Sequence, residues 1–184
     1  DFILNNIRRG GVHGMPNFEN MESFGYTLLQ RPLEALNIVY PDDRLEEGTV
    51  EPKELVGKNG LQRVMRYEEV VNPPFRGKFS YRDDRYGRIF APDQIGRYSC
   101  KIKSVCDSII GSEGIVLVYS QYIDGGLVPV ALALEELGFV RHGSVPSLFE
   151  KPPAQRINSV TFEPLAQGKG GRPPSYVMIT GDKA

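Results

Sequence analysis

One stretch limits the folds open to this chain more than any other. Gly114 leads into Ile115-Val116-Leu117-Val118-Tyr119, five uncharged residues with apolar side chains in a row. Branching at Cβ stiffens χ1 and suits the pleated backbone. An uninterrupted apolar run of this length predicts a strand covered on both faces, as in a parallel sheet flanked by helices. It is far too short to cross a bilayer, which takes about 20 apolar residues in a helix.

A helix is expected on each side of that strand. Upstream, Pro92 stands where a first turn tolerates a missing N–H, and Ile95, Tyr98, Ile102, Val105 and Ile109 follow at steps of three and four. That stripe predicts one amphipathic helix of about 18 residues closed by Gly111. Downstream, a helix over 126–137 puts Leu127, Val130, Leu134 and Leu137 on one side, with Glu135 and Glu136 on the outer face, and Gly138 ends it. Tyr176-Val177-Met178-Ile179-Thr180 then reads as a second apolar strand. Strand, helix and strand make a right-handed βαβ crossover. Ile115–Tyr119 and Tyr176–Thr180 are expected side by side and pointing the same way.

The first ninety residues are less regular. Glycines, prolines and acidic–aromatic mixtures break the pattern, leaving a short helix near 32–37, a strand over 37–40, an acidic solvated stretch over 42–52 and a helix over 57–67. Residues 75–90 read as irregular. Their aromatic side chains are expected to anchor the segment to the core, and Arg82, Arg85 and Arg88 to share a solvated surface with Asp83 and Asp84. The chain thus divides into 1–91, a loop-rich and mostly irregular insertion, and 92–184, an α/β unit with a surface insertion over 141–174.

The net charge of -1 gives no polyanion-binding field, so any nucleic-acid contact must come from local groups. Residues 1–10 lack the basic-then-apolar order of a signal peptide. Cys100 and Cys106 are six apart on the expected helix and face different ways, so they should not pair, and a reducing intracellular setting follows as the expectation. His13 and His142 are isolated and no metal-ligand spacing is present. The start at Asp1 and the stop just after an apolar strand read as a piece of a longer protein.

Open α/β sheets bind ligands at the carboxyl ends of their strands. Here these ends are Ser120-Gln121-Tyr122-Ile123-Asp124-Gly125-Gly126 and Thr180-Gly181-Asp182. The segment 114–126 resembles motif IV of the superfamily II helicases, where a strand ends in Tyr/Phe-Ser-Gln-Phe/Tyr, as in the early-transcription-factor ATPases of poxviruses. Tyr98-Ser99-Cys100-Lys101-Ile102 is similar to the helix that leads into that motif, residues 131–139 to the helix after it, and residues 176–182 to the next strand. Residues 119–139 and 176–183 resemble the helicase-like proteins of nucleocytoplasmic large DNA viruses, and so does Pro32-Leu33-Glu34-Ala35-Leu36-Asn37-Ile38-Val39-Tyr40-Pro41 upstream.

The resemblance implies the start of a second RecA-like motor domain, hence a partial RecA-like parallel sheet in the α/β class. It implies nucleic acid, DNA rather than RNA, lying across strand ends and helix N-termini, with Ser120, Gln121, Gly125, Gly126, Thr180 and Gly181 as contacts. It also implies ATP and Mg²⁺ in an intact parent, the first motor domain and the remainder of the second as partners, no membrane, and a soluble protein of host cytoplasm or virion. The chain has neither a Gly-x-x-x-x-Gly-Lys-Ser/Thr loop nor an Asp-Glu-x-His-like box. No catalytic residue is therefore assigned and no cofactor is expected on this segment alone. The competing expectation is a freestanding, non-catalytic α/β module that binds a partner protein or a nucleotide.

Overall fold

A computed structural model describes residues 30–68, 79–82, 85–143, 145–153, 155–165 and 171–180. In chain order these form α1 (residues 30–37), α2 (Arg44–Glu47), a short 3₁₀ turn (Pro52–Glu54), α3 (Gly57–Val64), β1 (Met65–Tyr67) and β2 (Phe79–Tyr81). There follow α4 (Ile95–Tyr98), α5 (Cys100–Ile110), a wide π-type turn (Ile123–Leu127), α6 (Val128–Glu136), β3 (Val140–Arg141) and β4 (Ser175–Tyr176). Helix and strand are mixed, as expected. The strands make two separate two-stranded sheets.

Helix α6 is the centre. Every residue from Val128 to Glu136 except Val130 is buried. A helix apolar at Ala131-Leu132-Ala133-Leu134 has no polar side to offer water, so it is buried all round instead of along one stripe. Each buried leucine stabilises the fold by roughly 1.5–3 kcal/mol before entropy is charged. The main core cluster joins Leu132 and Leu134 to Ile102, Cys106 and Phe149, and equally to Ile38, Tyr40, Leu61, Met65 and Phe90. It draws on both sides of the boundary expected near residue 92.

Glu135 and Glu136 correct the sequence expectation, since both are buried instead of facing water. Neighbouring helix positions diverge by about 100°, so the two carboxylates reach different partners. Glu135 accepts from the Leu148 N–H (2.7 Å), the Phe149 N–H (3.0 Å), the Tyr176 O–H (2.6 Å) and the Ser147 hydroxyl. Glu136 accepts from the Tyr81 O–H at 2.5 Å and from the Arg88 guanidinium. A buried charge costs several kcal/mol unless it is paired and hydrogen-bonded, and these two are. Burial first, then the adjacent carboxylate, pushes the Tyr81 and Tyr176 hydroxyls far above their usual range, so both stay protonated donors.

The first part of the chain is more ordered than its composition suggests. Gly57–Val64 is helical, but Met65–Tyr67 leaves it as a strand, antiparallel to β2 with Met65 opposite Tyr81 and Tyr67 opposite Phe79. The segment read as irregular therefore supplies β2, and its Ile89 and Phe90 are fully buried, as anchoring aromatics should be. Arg88 is half exposed but pairs with buried Glu136, and Asp83 and Asp84 lie outside the described residues. Residues 37–40 form no strand, although the Tyr40 N–H bonds the Leu55 carbonyl at 2.9 Å. Asp42 is buried, and Arg44 and Arg63 bind both it and Glu54. The hydrogen bond from Arg44 leads the causes that hold the Asp42 carboxyl below its ordinary range.

The single helix expected before the apolar run is two. Ser99, with φ -155 and ψ 100, is extended backbone that ends α4, and its hydroxyl accepts from the Ile102 N–H to cap α5. The same hydroxyl donates to the Asn37 carbonyl, pinning the break to the end of α1. Serine competes with the helix for backbone partners and suits an N-cap, so the apolar stripe continues across a real interruption. Cys100 is exposed and Cys106 buried, and both are free thiols.

The largest departure concerns the expected parallel sheet. Its two strands are not paired: the parallel ladder joins Val140 to Ser175 and Arg141 to Tyr176. Residues 115–119 belong to no ladder, and the second apolar segment is a strand only at Ser175–Tyr176. Ile115 and Leu117 stand almost wholly in solvent instead of inside a sheet.

The buried carboxylate of Glu135 gives a direct test of this arrangement. Glu135→Ala leaves two N–H groups and two hydroxyls without their acceptor and should lower the unfolding free energy by about 3 kcal/mol or more. Urea titration followed by far-ultraviolet dichroism measures it. Loss below about 0.5 kcal/mol, the usual range for a surface position, would show that Glu135 is not the anchor.

Candidate nucleic-acid interface

Exposure along 115–119 alternates. Ile115, Leu117 and Tyr119 are 102%, 91% and 87% exposed, whereas Val116 is 43% and Val118 is half-buried. Val177 and Ile179 are likewise exposed at 68% and 85%, with Met178 and Thr180 half-buried between them. A period of two is that of an extended chain. Both segments run as strips with one face toward the protein and one toward solvent. They line the same groove, about 1420 Å³ in volume.

The first strip ends in a turn built by its own polar residues. The Ser120 hydroxyl accepts the Tyr122 N–H at 3.1 Å, and the Leu127 N–H reaches back to the Tyr122 carbonyl at 3.0 Å, closing the wide turn that starts α6. π-type turns are uncommon and are found often at functional sites. Here the turn needs glycine for packing. A side chain at Gly126 would run into the Ser120 hydroxyl, and one at Gly125 would come within 3.3 Å of the Gly57 Cα at the start of α3.

The six residues expected to contact nucleic acid therefore separate. Gln121 is exposed and Ser120 and Thr180 are half-buried, and all three line the groove. Gly125 and Gly126 are buried, packed against Gly57 and Ser120, and their visible work is inside the fold. Gly181 lies outside the described residues. No lysine or arginine lines the groove among the described residues, so a phosphate there would meet hydroxyl, amide and N–H donors instead of cations. Glu113 and His142 are its ionisable members outside the tyrosines.

Sequence reasoning missed the residues that set this geometry. Tyr176, bonded to Glu135, fixes where the second strip leaves β4. Tyr40, away from the groove and fully buried, has a hydroxyl without a hydrogen-bond partner among the described residues; burial first, then the Asp124 carboxylate, pushes it well above its usual range. For Glu135 a signal did exist: four successive apolar residues before it leave the helix no solvated face. For Tyr40 there is none, because its neighbours Leu55, Gly60 and Phe90 come from three other segments. Among the described residues no group of three or more His, Cys, Asp or Glu could hold a metal ion, and no helix is long and apolar enough to cross a membrane.

The turn can be tested by crowding and then relieving it. Gly126→Ala should destabilise the chain by about 1–2 kcal/mol, since the Ser120 hydroxyl must give up its bond to Tyr122. Adding Ser120→Ala should recover part of that loss. Thermal or urea unfolding of the two single variants and the double variant measures the coupling, and strict additivity would mean that the two residues do not meet.

Compared with known proteins, the chain matches no family model, no curated protein and no solved structure.

Proposed function

We propose that this chain is part of the second motor domain of a nucleic-acid-dependent ATPase of the superfamily II helicase type, and that it contributes contacts to the nucleic-acid backbone without hydrolysing ATP itself. The observation that carries this reading is the placement of Ser120, Gln121 and Thr180. They follow two apolar strips that line one groove, as polar residues at strand ends do in open α/β sheets. The order helix, apolar strip, turn, helix and short parallel ladder supports it as well.

In this reading the Gln121 side chain and the Ser120 and Thr180 hydroxyls meet phosphate or sugar oxygens of DNA. Such contacts position a strand and carry no sequence preference. Gly125 and Gly126 act indirectly, by letting the turn close tightly enough to hold Gln121 outward. ATP and Mg²⁺ belong to the parts of the motor that carry the phosphate loop and the magnesium box, both absent from this sequence. The first motor domain and the remainder of the second are the partners required.

Gln121→Ala and Thr180→Ala, made in the intact motor, test the assignment. DNA-stimulated ATP turnover should fall by about tenfold, the equivalent of roughly 1.4 kcal/mol, while turnover without DNA stays within about twofold. Equal losses in both would remove the nucleic-acid role and favour a non-catalytic binding module.

A further inference from the structure

We infer that Tyr40 is a positioning residue for the wide turn: its buried hydroxyl is a donor held for the Asp124 carboxylate, and nucleic acid at Gln121 selects the position of the turn in which the two are bonded. Such a role rests on the reading just given, and it brings the first part of the chain into the control of the turn.

A buried hydroxyl left without a partner is unfavourable, and such groups are rare in native folds. Tyr40 is 1% exposed, and its hydroxyl has no hydrogen-bond partner among the described residues. The residue itself is firmly held. Its N–H bonds the Leu55 carbonyl at 2.9 Å, its ring meets Phe90 edge-on with centroids 6.5 Å apart, and it closes over Gly60 of α3, where a side chain would run into it. Phenylalanine would fill the same space with no polar atom to satisfy. With the turn where it stands, the hydroxyl does nothing for the fold.

The wide turn leans on the same helix. Gly57 and Gly60 are three residues apart and share a face of α3, about 4.5 Å from each other along its axis. Tyr40 covers Gly60 and Gly125 covers Gly57, since a side chain on Gly125 would begin 3.3 Å from the Gly57 Cα. Asp124, next to Gly125, is half-buried, and its carboxylate has no hydrogen bond or ion pair among the described residues. Glu34 borders the contact too, with its Cγ 3.6 Å from the same point, but the charge that acts on the Tyr40 hydroxyl is that of Asp124. An unmet donor and an unmet acceptor thus lie at neighbouring positions on one helix face.

The turn has the slack to bring them together. It is closed by an i→i+5 bond, from the Leu127 N–H to the Tyr122 carbonyl at 3.0 Å. Such winding is wider than that of the α-helix it leads into. Tightening it by one residue rotates Asp124 about the axis while buried α6 stays in place, and Gly125 and Gly126 permit the backbone change. Gln121 lies just before the turn and moves with it. A ligand that binds one position better shifts the turn toward that position. The Tyr40 O–H then donates to a carboxylate, a stronger bond than one between neutral groups, and it forms only when the turn is engaged.

Tyr40→Phe and Asp124→Ala, singly and together, test this. In the 184-residue chain without nucleic acid, Tyr40→Phe should leave the urea midpoint unchanged or raise it, because no bond is lost. In the intact motor, the concentration of single-stranded DNA that gives half-maximal ATP turnover should rise about tenfold with either variant and no further with both, while maximal turnover stays within about twofold. Asp124→Asn, which keeps an acceptor oxygen, should recover most of that loss. A lowered midpoint for Tyr40→Phe in the free chain would show that the hydroxyl is already bonded, to a buried water for instance, and would overturn the inference. So would an unchanged DNA requirement, or effects that multiply in the double variant. The motor reading fails separately. Lost stimulation in Gln121→Ala beside an unchanged DNA requirement in Tyr40→Phe removes the role of Tyr40 alone, whereas an unsubstituted motor that DNA does not stimulate removes both.

Discussion

Two adjacent carboxylates inside the protein hold the rest of it in place. Glu135 and Glu136 sit on a helix with no solvated side, and each would destabilise the fold by several kcal/mol if its partners were withdrawn. The partners lie far apart in sequence. Glu136 binds Tyr81 and Arg88 from the first part of the chain, whereas Glu135 binds residues 147–149 and Tyr176 from the last. Because consecutive helical residues point about 100° apart, one turn of α6 reaches both groups of partners, which also bond each other directly: the Phe79 N–H donates to the Leu148 carbonyl at 2.8 Å and the Glu150 N–H to the Phe79 carbonyl at 2.9 Å. Apolar packing supplies most of the stabilisation, but it has no direction. The carboxylates determine which loop meets which face.

With so little ladder, the chain still presents two apolar strips along one groove. The strip over 115–119 runs from the end of α5 to the turn that begins α6, and the strip over 177–180 leaves the ladder where Tyr176 is fixed by Glu135. Exposure alternates along each strip, and Ile115 at the start of the first is wholly exposed. Burying so much apolar side chain would ordinarily be favourable by roughly 25 cal/mol per Å². Here those side chains stay exposed and line the groove beside Ser120, Gln121 and Thr180. The turn at Ser120–Gly126 is then a hinge between two uses of the same residues: Gly125 and Gly126 close it against Gly57 and Ser120, and Gln121 stays exposed at the groove's end.

Local patterns were the legible part of the sequence. The helical spacing through Ile95, Tyr98, Ile102 and Ile109, the helix ended by Gly138, and the apolar character of 115–119 could all be read directly, as could the role of Ile89 and Phe90 as core anchors. What could not be read depended on partners. Ser99 breaks a helix whose stripe continues, because its hydroxyl has both Ile102 and Asn37 to bond. The apolar run at Ile115 was read as buried, since composition reports what a segment can pack against and not whether that surface is at hand. Glu135 and Glu136 were placed outward by the rule that acids face water, and only the four apolar residues before them argued otherwise. Strand-end logic picks out Ser120, Gln121 and Thr180, which line the groove, while the inward packing of Gly125 and Gly126 requires knowing that α3 lies against the turn.

If α6 is the common anchor, the second part of the chain cannot keep its fold once Tyr81, Arg88 and the apolar residues of 38–90 are taken away. The most direct measurement compares urea unfolding of residues 92–184 alone with that of the whole 184-residue chain, followed by far-ultraviolet dichroism. The account predicts one cooperative transition for the whole chain and a broad, shallow change for the shorter piece. A cooperative transition of the same midpoint in the shorter piece would contradict it, because the buried carboxylate of Glu136 would then have no need of its partners.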